Sequence, residues 1–161
     1  KKSSATTKEI LQSELEFTST KIQENFSNGS AFHYRSKLIP YLLQISPESG
    51  LLEQELELVH NAIFTEPDDQ TAWWYLEFLL PYLSASTLQE EVALLRELIE
   101  AENEQTKWGL LGLYQVYLRM NDNSSAVQEE QKAILAKLMI LDPDRQNRYK
   151  SMQRQLSGNE K

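Results

Sequence analysis

The sequence contains no cysteine, and this absence removes several kinds of chemistry at once. Disulfides, thiolate metal sites and cysteine nucleophiles are all excluded. The two histidines, His33 and His60, are 27 residues apart and form no Glu-x-x-His arrangement, so no metal site is expected. A chain without cysteine is also compatible with a reducing compartment, and we expect a cytoplasmic location.

Long hydrophobic runs and flexible linkers are also missing. The 161 residues include only five glycines and five prolines, too few for a linker or low-complexity protein. The longest apolar stretch, 73–83, is interrupted by Glu77 and Pro81 and is far shorter than the roughly 20 residues that a membrane-spanning helix needs. Membrane insertion is therefore not expected.

Positive charge is scarce, because the sequence has 16 lysines and arginines but 24 aspartates and glutamates. The net charge is −8. Binding to a phosphate backbone needs a positive footprint, so no nucleic-acid partner is expected. The densest basic stretch is 145–154, and we interpret it as the solvated face of a C-terminal helix.

What the sequence does contain is a repeat. Four aromatic residues, each preceded by a polar, turn-like tract, follow one another at spacings of 41, 35 and 41 residues: Phe32, Trp73, Trp108 and Tyr149. Periods of this size are typical of stacked helix pairs. The tracts at 25–29, 66–70, 102–105 and 142–145 supply a helix stop followed by Ser, Thr, Asp or Asn side chains that can cap the next helix.

Each tract is flanked by two segments with helical apolar spacing, and no segment reads as a strand. The first helices of the four pairs are predicted at 9–24, 51–64, 88–100 and 126–141, and the second helices at 30–45, 71–83, 106–120 and 145–156. Pro40 and Pro81 are predicted to kink or shorten their helices. The expected fold is all-α, a right-handed superhelical stack of antiparallel hairpins like that of tetratricopeptide proteins. It forms a single helical-repeat domain over 1–161 with repeat units at about 9–45, 51–83, 88–120 and 126–156.

Two segments of this repeat sequence resemble segments of a known protein family. The string from Asn25 to Ser36 resembles the Asn-aromatic-x-x-Trp-x-x-Arg signature of protein prenyltransferase α-subunit repeats. The string from Glu55 to Trp73 is similar to the following repeat of Rab geranylgeranyltransferase α subunits, and the resemblance extends over nearly the whole chain. The α subunits of farnesyltransferase and type I geranylgeranyltransferase fit less well and remain an alternative.

This resemblance implies a subunit role in a transferase. In the family, the α subunit is a crescent of hairpins around a β subunit, and the β subunit carries the zinc ion and most of the geranylgeranyl diphosphate pocket. The heterodimer modifies C-terminal cysteines of Rab GTPases that a Rab escort protein presents, and the escort protein docks on later repeats of the α subunit. The chain would then be the C-terminal part of a longer α subunit, with no cofactor of its own.

The sequence also departs from the family pattern. The lysine that approaches the diphosphate in the family has no counterpart in 25–30, and the signature tryptophan is Phe32. Relatives can place a Tyr-His pair where this chain has Phe26 and Ser27. We therefore assign no catalytic residue, and the chain alone is not expected to be catalytic. A tetratricopeptide-like adaptor that binds short peptides in a groove stays open as a second interpretation.

Candidate partner contacts come from the signature and from an aromatic triplet. Residues Trp73, Trp74 and Tyr75 spread over about 200° of a helix, so one should be internal while Trp74 or Tyr75 faces a groove or a partner. Arg35 either contacts the β subunit or forms an ion pair between hairpins, and we favour the ion pair. The carboxylates of 53–57 are interpreted as solvated. The candidate interface residues are Asn25, His33, Tyr34, Arg35, Trp74 and Tyr75.

Overall fold

The computed structural model describes residues 2–158, with side chains from Thr6 onward. Over this range the chain forms eight α-helices and no strand, so the predicted all-α fold of helical hairpins is confirmed. The helices are α1 (Lys2–Glu24), α2 (Gly29–Ile45), α3 (Leu51–Thr65), α4 (Gln70–Leu79), α5 (Ala85–Ala101), α6 (Lys107–Met120), α7 (Ser125–Leu141) and α8 (Gln146–Gly158). Lys1 and 159–161, part of the predicted domain, lie outside the described residues.

Helix ends differ from the predicted ones in two informative places. The first helix begins at Lys2 rather than at residue 9. The two prolines act differently: α4 ends at Leu79 and a 3-10 turn, Leu80–Tyr82, takes in Pro81, whereas α2 continues past Pro40 to Ile45. Pro40 therefore does not shorten its helix, which leaves the predicted kink as the alternative. A proline removes one backbone hydrogen bond, and the packing of the surrounding helix is enough to tolerate that loss.

Polar side chains cap three of the four second helices, α2, α4 and α6, as their tracts predict. The side-chain oxygen of Asn28 accepts a hydrogen bond from the Ala31 amide at 3.0 Å, and that of Asp69 accepts one from Thr71 at 2.7 Å. Thr106 caps α6 through the Gly109 amide at 3.1 Å. Each cap satisfies an amide donor that the first turn of a helix leaves free, and so fixes where that helix begins.

The chain divides into two compact units that join between Tyr82 and Leu83. In the first unit, α2 packs against both α1 and α4, and α3 packs against α4. Its core includes Phe32, Ile39, Val59, Ile63 and Leu76, none of them more than 1% exposed. The unit thus consists of two of the predicted hairpins.

The second unit holds the other two hairpins. There α6 packs against α5 and α7, and α7 packs against α8. A Cβ added at Gly109 would lie 2.7 Å from the Thr106 side chain and 3.4 Å from Ile99 on α5. Glycine at this position therefore permits the close approach of α5 and α6, and it leaves room for the threonine cap.

Candidate protein-interaction surface

A buried charged network lies at the centre of the first unit. The Arg35 guanidinium on α2 donates to both carboxylate oxygens of Glu55 on α3, with Nε to Oε2 at 2.9 Å. Its Nη1 donates to the Leu15 carbonyl on α1 at 2.8 Å and to the hydroxyls of Thr18 and Ser19. Arg35 is 3% exposed and Glu55 is fully buried, so the ion-pair interpretation of Arg35 is confirmed and its side chain is not available to a partner.

Tyr75 on α4 completes this network. Its hydroxyl donates to Oε2 of Glu55 at 2.5 Å, and its ring packs 4.9 Å from Phe32 and 5.5 Å from Phe78, measured between centroids. Desolvation, together with the negative charge of Glu55, raises the pKa of the Tyr75 hydroxyl far above its usual value. Tyr75 is fully buried and therefore does not belong to the candidate interface.

Glu55 is the residue of this network that sequence reasoning misplaced. The sequence predicts that Glu55 is solvated like its neighbours Glu53 and Glu57, and the structure shows that this prediction is wrong for Glu55. A glutamate considered without its neighbours in space is predicted to be exposed, because unpaired carboxylates are rarely buried. The available signal was its place on the apolar stripe of α3, directly before the buried Leu56.

The aromatic triplet separates into one exposed and two buried side chains. Trp73 is 6% exposed and its indole Nε1 donates to the Pro67 carbonyl at 2.8 Å, so it is the internal member. Trp74 is 46% exposed. Its ring stacks with that of His33 on α2 at 6.1 Å between centroids and an interplanar angle of 30°.

Tyr34 extends this pair towards α1. The side chain is 41% exposed, and its hydroxyl donates to Oε2 of Glu14 at 3.2 Å. That hydrogen bond raises the pKa of Tyr34 above its ordinary value. The exposed side chains of His33, Tyr34 and Trp74 together are called the aromatic surface below.

Asn25 has a local structural contact. Its Oδ1 accepts a hydrogen bond from the Ser27 amide at 3.0 Å, which closes the turn before α2. The Ser27 hydroxyl in turn donates to Glu66 at 2.9 Å and to Asp69, the cap of α4. The turns that precede α2 and α4 are thereby tied together beside the aromatic surface.

The second unit contains a groove that the sequence did not reveal. It has a volume of about 450 Å³ and an apolar floor of Ile99, Leu110, Leu113 and Ile134. Ion pairs flank it, Arg96 to Glu130 at 2.7 Å and Lys137 to Glu104. The partners are 34 and 33 residues apart, close to one repeat, because residues one repeat apart occupy equivalent places on neighbouring hairpins.

Two buried tyrosines of the second unit have raised pKa values. Desolvation and a hydrogen bond to Glu130 raise the pKa of Tyr117 to about 12. Desolvation and a hydrogen bond to Asp142, at 2.7 Å, raise the pKa of Tyr149 to about 12. Both hydroxyls are therefore held in the neutral, donating form.

These two tyrosines predict a loss of stability in alkali. In the unfolded chain they ionise near pH 10, whereas in the folded chain they stay neutral until about pH 12. The stability that the two neutral hydroxyls contribute is therefore fully present below pH 10, and it should be lost as the pH rises from about 10 to 12. The midpoint of thermal unfolding, followed by circular dichroism between pH 9 and 12, should decrease less in a Tyr117→Phe/Tyr149→Phe variant. Equal decreases in the two proteins would contradict the assignment.

Neither a cluster of metal ligands nor a membrane-spanning helix occurs among the described residues. From Thr6 to Gly158, no three His, Asp or Glu side chains are grouped so that they could hold a metal ion. None of the helices described is both long and apolar enough to cross a bilayer.

Comparison with known proteins places these hairpins in a family. The family model of the protein prenyltransferase alpha subunit repeat matches residues 11–42 and 52–83. The two matches coincide with the α1–α2 and α3–α4 hairpins, and they contain the Arg35–Glu55–Tyr75 network and the aromatic surface. These two hairpins are protein prenyltransferase alpha-subunit repeats.

Full-length relatives of these repeats agree with this assignment. The chain is similar to the geranylgeranyl transferase type-2 subunit alpha of Schizosaccharomyces pombe, with 30% identity over 92% of the chain and 52% of the relative. The corresponding Saccharomyces cerevisiae subunit is 29% identical over 91% of the chain and 50% of its own length. The Homo sapiens subunit is 51% identical over 75 residues, which are 42% of the chain and 13% of that protein. The chain spans about half the length of the two yeast relatives.

Proposed function

We propose that the chain is part of the α subunit of a type-2 geranylgeranyltransferase, the class that attaches geranylgeranyl groups to C-terminal cysteines of Rab GTPases. The support is similarity to type-2 alpha subunits over about nine-tenths of the chain. Its role is to bind partner proteins. The observation that supports this role is the exposed stack of His33 on Trp74, which lies on helices joined through the buried Arg35–Glu55–Tyr75 network.

The aromatic surface is the proposed contact for the β subunit. Tryptophan and tyrosine dominate interface energetics because they bury a large area at a small entropic cost. Trp74 follows Trp73 and precedes Tyr75, and a side-chain hydrogen bond holds each of these neighbours, so the helix that carries Trp74 is already ordered. Binding of a partner over Trp74 and His33 would therefore cost this chain little conformational entropy.

The groove in the second unit is the proposed contact for a Rab escort protein carrying its Rab GTPase. An apolar floor between charged rims suits a protein that inserts an apolar side chain and aligns its own charges with the rims. At about 450 Å³ the groove has room for such an anchor.

Zinc and geranylgeranyl diphosphate are proposed to bind the β subunit. The described side chains of this chain do not fit a zinc ion, since a catalytic zinc needs three protein ligands in one place. No step of the transfer reaction is therefore assigned to residues of this chain.

Co-purification tests the proposal directly. The tagged chain should capture a co-expressed type-2 β subunit, and should capture a farnesyltransferase β subunit much less. In a separate experiment it should retain an escort–Rab complex. Circular dichroism of the eluted chain should show the helical signature, so that folding is controlled in the same sample.

The adaptor interpretation gives the opposite result. A tetratricopeptide-like adaptor would bind short peptides without any folded β subunit. A helical sample that captures neither the β subunit nor the escort complex would contradict the proposed function.

A further inference from the structure

A basic depression lies between α7 and α8 in the second unit. Its volume is about 670 Å³, and its lining consists of three cations and two neutral polar residues: Lys132, Lys150, Arg154, Gln153 and Ser157. Among the described residues its lining includes no carboxylate and none of the residues that line the groove proposed for the escort protein. In a chain of net charge −8, this local concentration of positive charge is unusual.

Two of these cations are not neutralised by the described part of the chain. Lys150 Nζ donates to the side-chain oxygen of Gln146 at 3.2 Å, and Arg154 Nε donates to the Lys150 carbonyl at 3.4 Å. Neither has an ion pair with a described carboxylate. Lys132 Nζ lies 3.5 Å from Glu129 Oε1 on its own helix, and the inference does not use Lys132.

The spacing of the cations indicates an extended ligand. Lys150 and Arg154 are four residues apart on α8, a rise of about 6 Å along the helix. Acidic side chains at alternate positions of an extended peptide are about 6.6 Å apart on one face. We propose that this depression binds an extended acidic segment of a partner protein, with Lys150 and Arg154 each contacting one carboxylate. The proposal does not depend on the transferase role.

Other anionic partners fit less well. A single phosphate group favours donors that converge from buried positions, whereas Lys150 and Arg154 are exposed and follow one another along a helix. A nucleic acid would contact only three cations in this depression, and the net charge of −8 would repel its phosphate backbone.

Fluorescence anisotropy with a short labelled peptide of alternating glutamate and serine tests this inference. At low ionic strength the 161-residue chain should bind it and should not bind the same peptide with glutamine for glutamate. Arg154→Glu should weaken binding by about fivefold or more, since it replaces an attraction by a repulsion. The matched control is Arg148→Glu, an equal charge change two residues from Lys150 and so about 200° around the helix. It should weaken binding less than about twofold, because only long-range electrostatics changes.

Three results would overturn the inference. Equal losses in Arg148→Glu and Arg154→Glu would show that only overall charge matters. Equal binding of the glutamate and glutamine peptides would exclude carboxylate recognition. Binding to phosphatidylserine vesicles without binding to the peptide would assign the depression to a membrane. Circular dichroism of both variants confirms that α8 remains folded.

Discussion

Replacing Glu55 with alanine is expected to lower the free energy of unfolding of the first unit by about 3–5 kcal/mol. The substitution leaves the Arg35 guanidinium buried without its counter-ion and deprives the Tyr75 hydroxyl of its acceptor. A buried unpaired charge costs far more than the methylene groups that are removed with it. This is the largest effect that we expect from a single polar residue of the chain.

Urea unfolding measures this effect. In a Trp108→Phe background the remaining tryptophans, Trp73 and Trp74, both lie in the first unit and report its unfolding. Glu57→Ala is the matched control, because Glu57 is exposed on the same helix and should change stability by less than about 0.5 kcal/mol. A loss below about 1 kcal/mol for Glu55→Ala would mean that the network is not buried as described.

A double replacement separates the charge from the packing. Arg35→Met combined with Glu55→Leu removes both charges and keeps apolar volume, so it should cost less than the sum of the two single variants. Additive losses would indicate that the two side chains stabilise the unit independently.

Replacing Trp74 with alanine is expected to weaken binding of a type-2 β subunit by about 30-fold, or roughly 2 kcal/mol. This prediction depends on the proposed binding of a β subunit. The side chain is 46% exposed, and its removal takes away the largest part of the aromatic surface. Titration of immobilised chain with β subunit would give the affinity.

Phe64→Ala is the matched control for Trp74. Phe64 is 45% exposed and also belongs to the first unit, but it lies on α3 and outside the aromatic surface. Its replacement should change the affinity by less than about threefold. Equal losses for the two variants would remove the aromatic surface as the specific contact.

Most of the fold could be predicted because its signals are local. Three of the four polar tracts are followed by a helix with a side-chain cap, and Asn28, Asp69 and Thr106 begin α2, α4 and α6 as N-cap chemistry requires. The periodic apolar residues gave the helices between them to within a few residues. The N-terminal extension of α1 was missed because the polar residues before residue 9 carry no apolar period.

The interaction surface could be predicted only in part. The angular spread of Trp73, Trp74 and Tyr75 required that one of them face outward, but it did not say which. The choice depends on how α4 is rotated against α2, and the buried bond between Tyr75 and Glu55 shows that rotation. The groove floor formed by Ile99 and Ile134 was not predicted, because it arises where hairpins meet.

The sequence by itself determined the helices, most of their caps, the repeat and, through its family strings, the match of the first two hairpins to prenyltransferase alpha-subunit repeats. These features depend on neighbours within a few residues or on spacing along the chain. Only the tertiary structure decided that Glu55 is buried with Arg35, that Trp74 rather than Tyr75 is exposed, and that Lys150 and Arg154 have no described carboxylate partner. Burial and charge pairing are set by residues far apart in sequence, whose contacts exist only once the helices have packed.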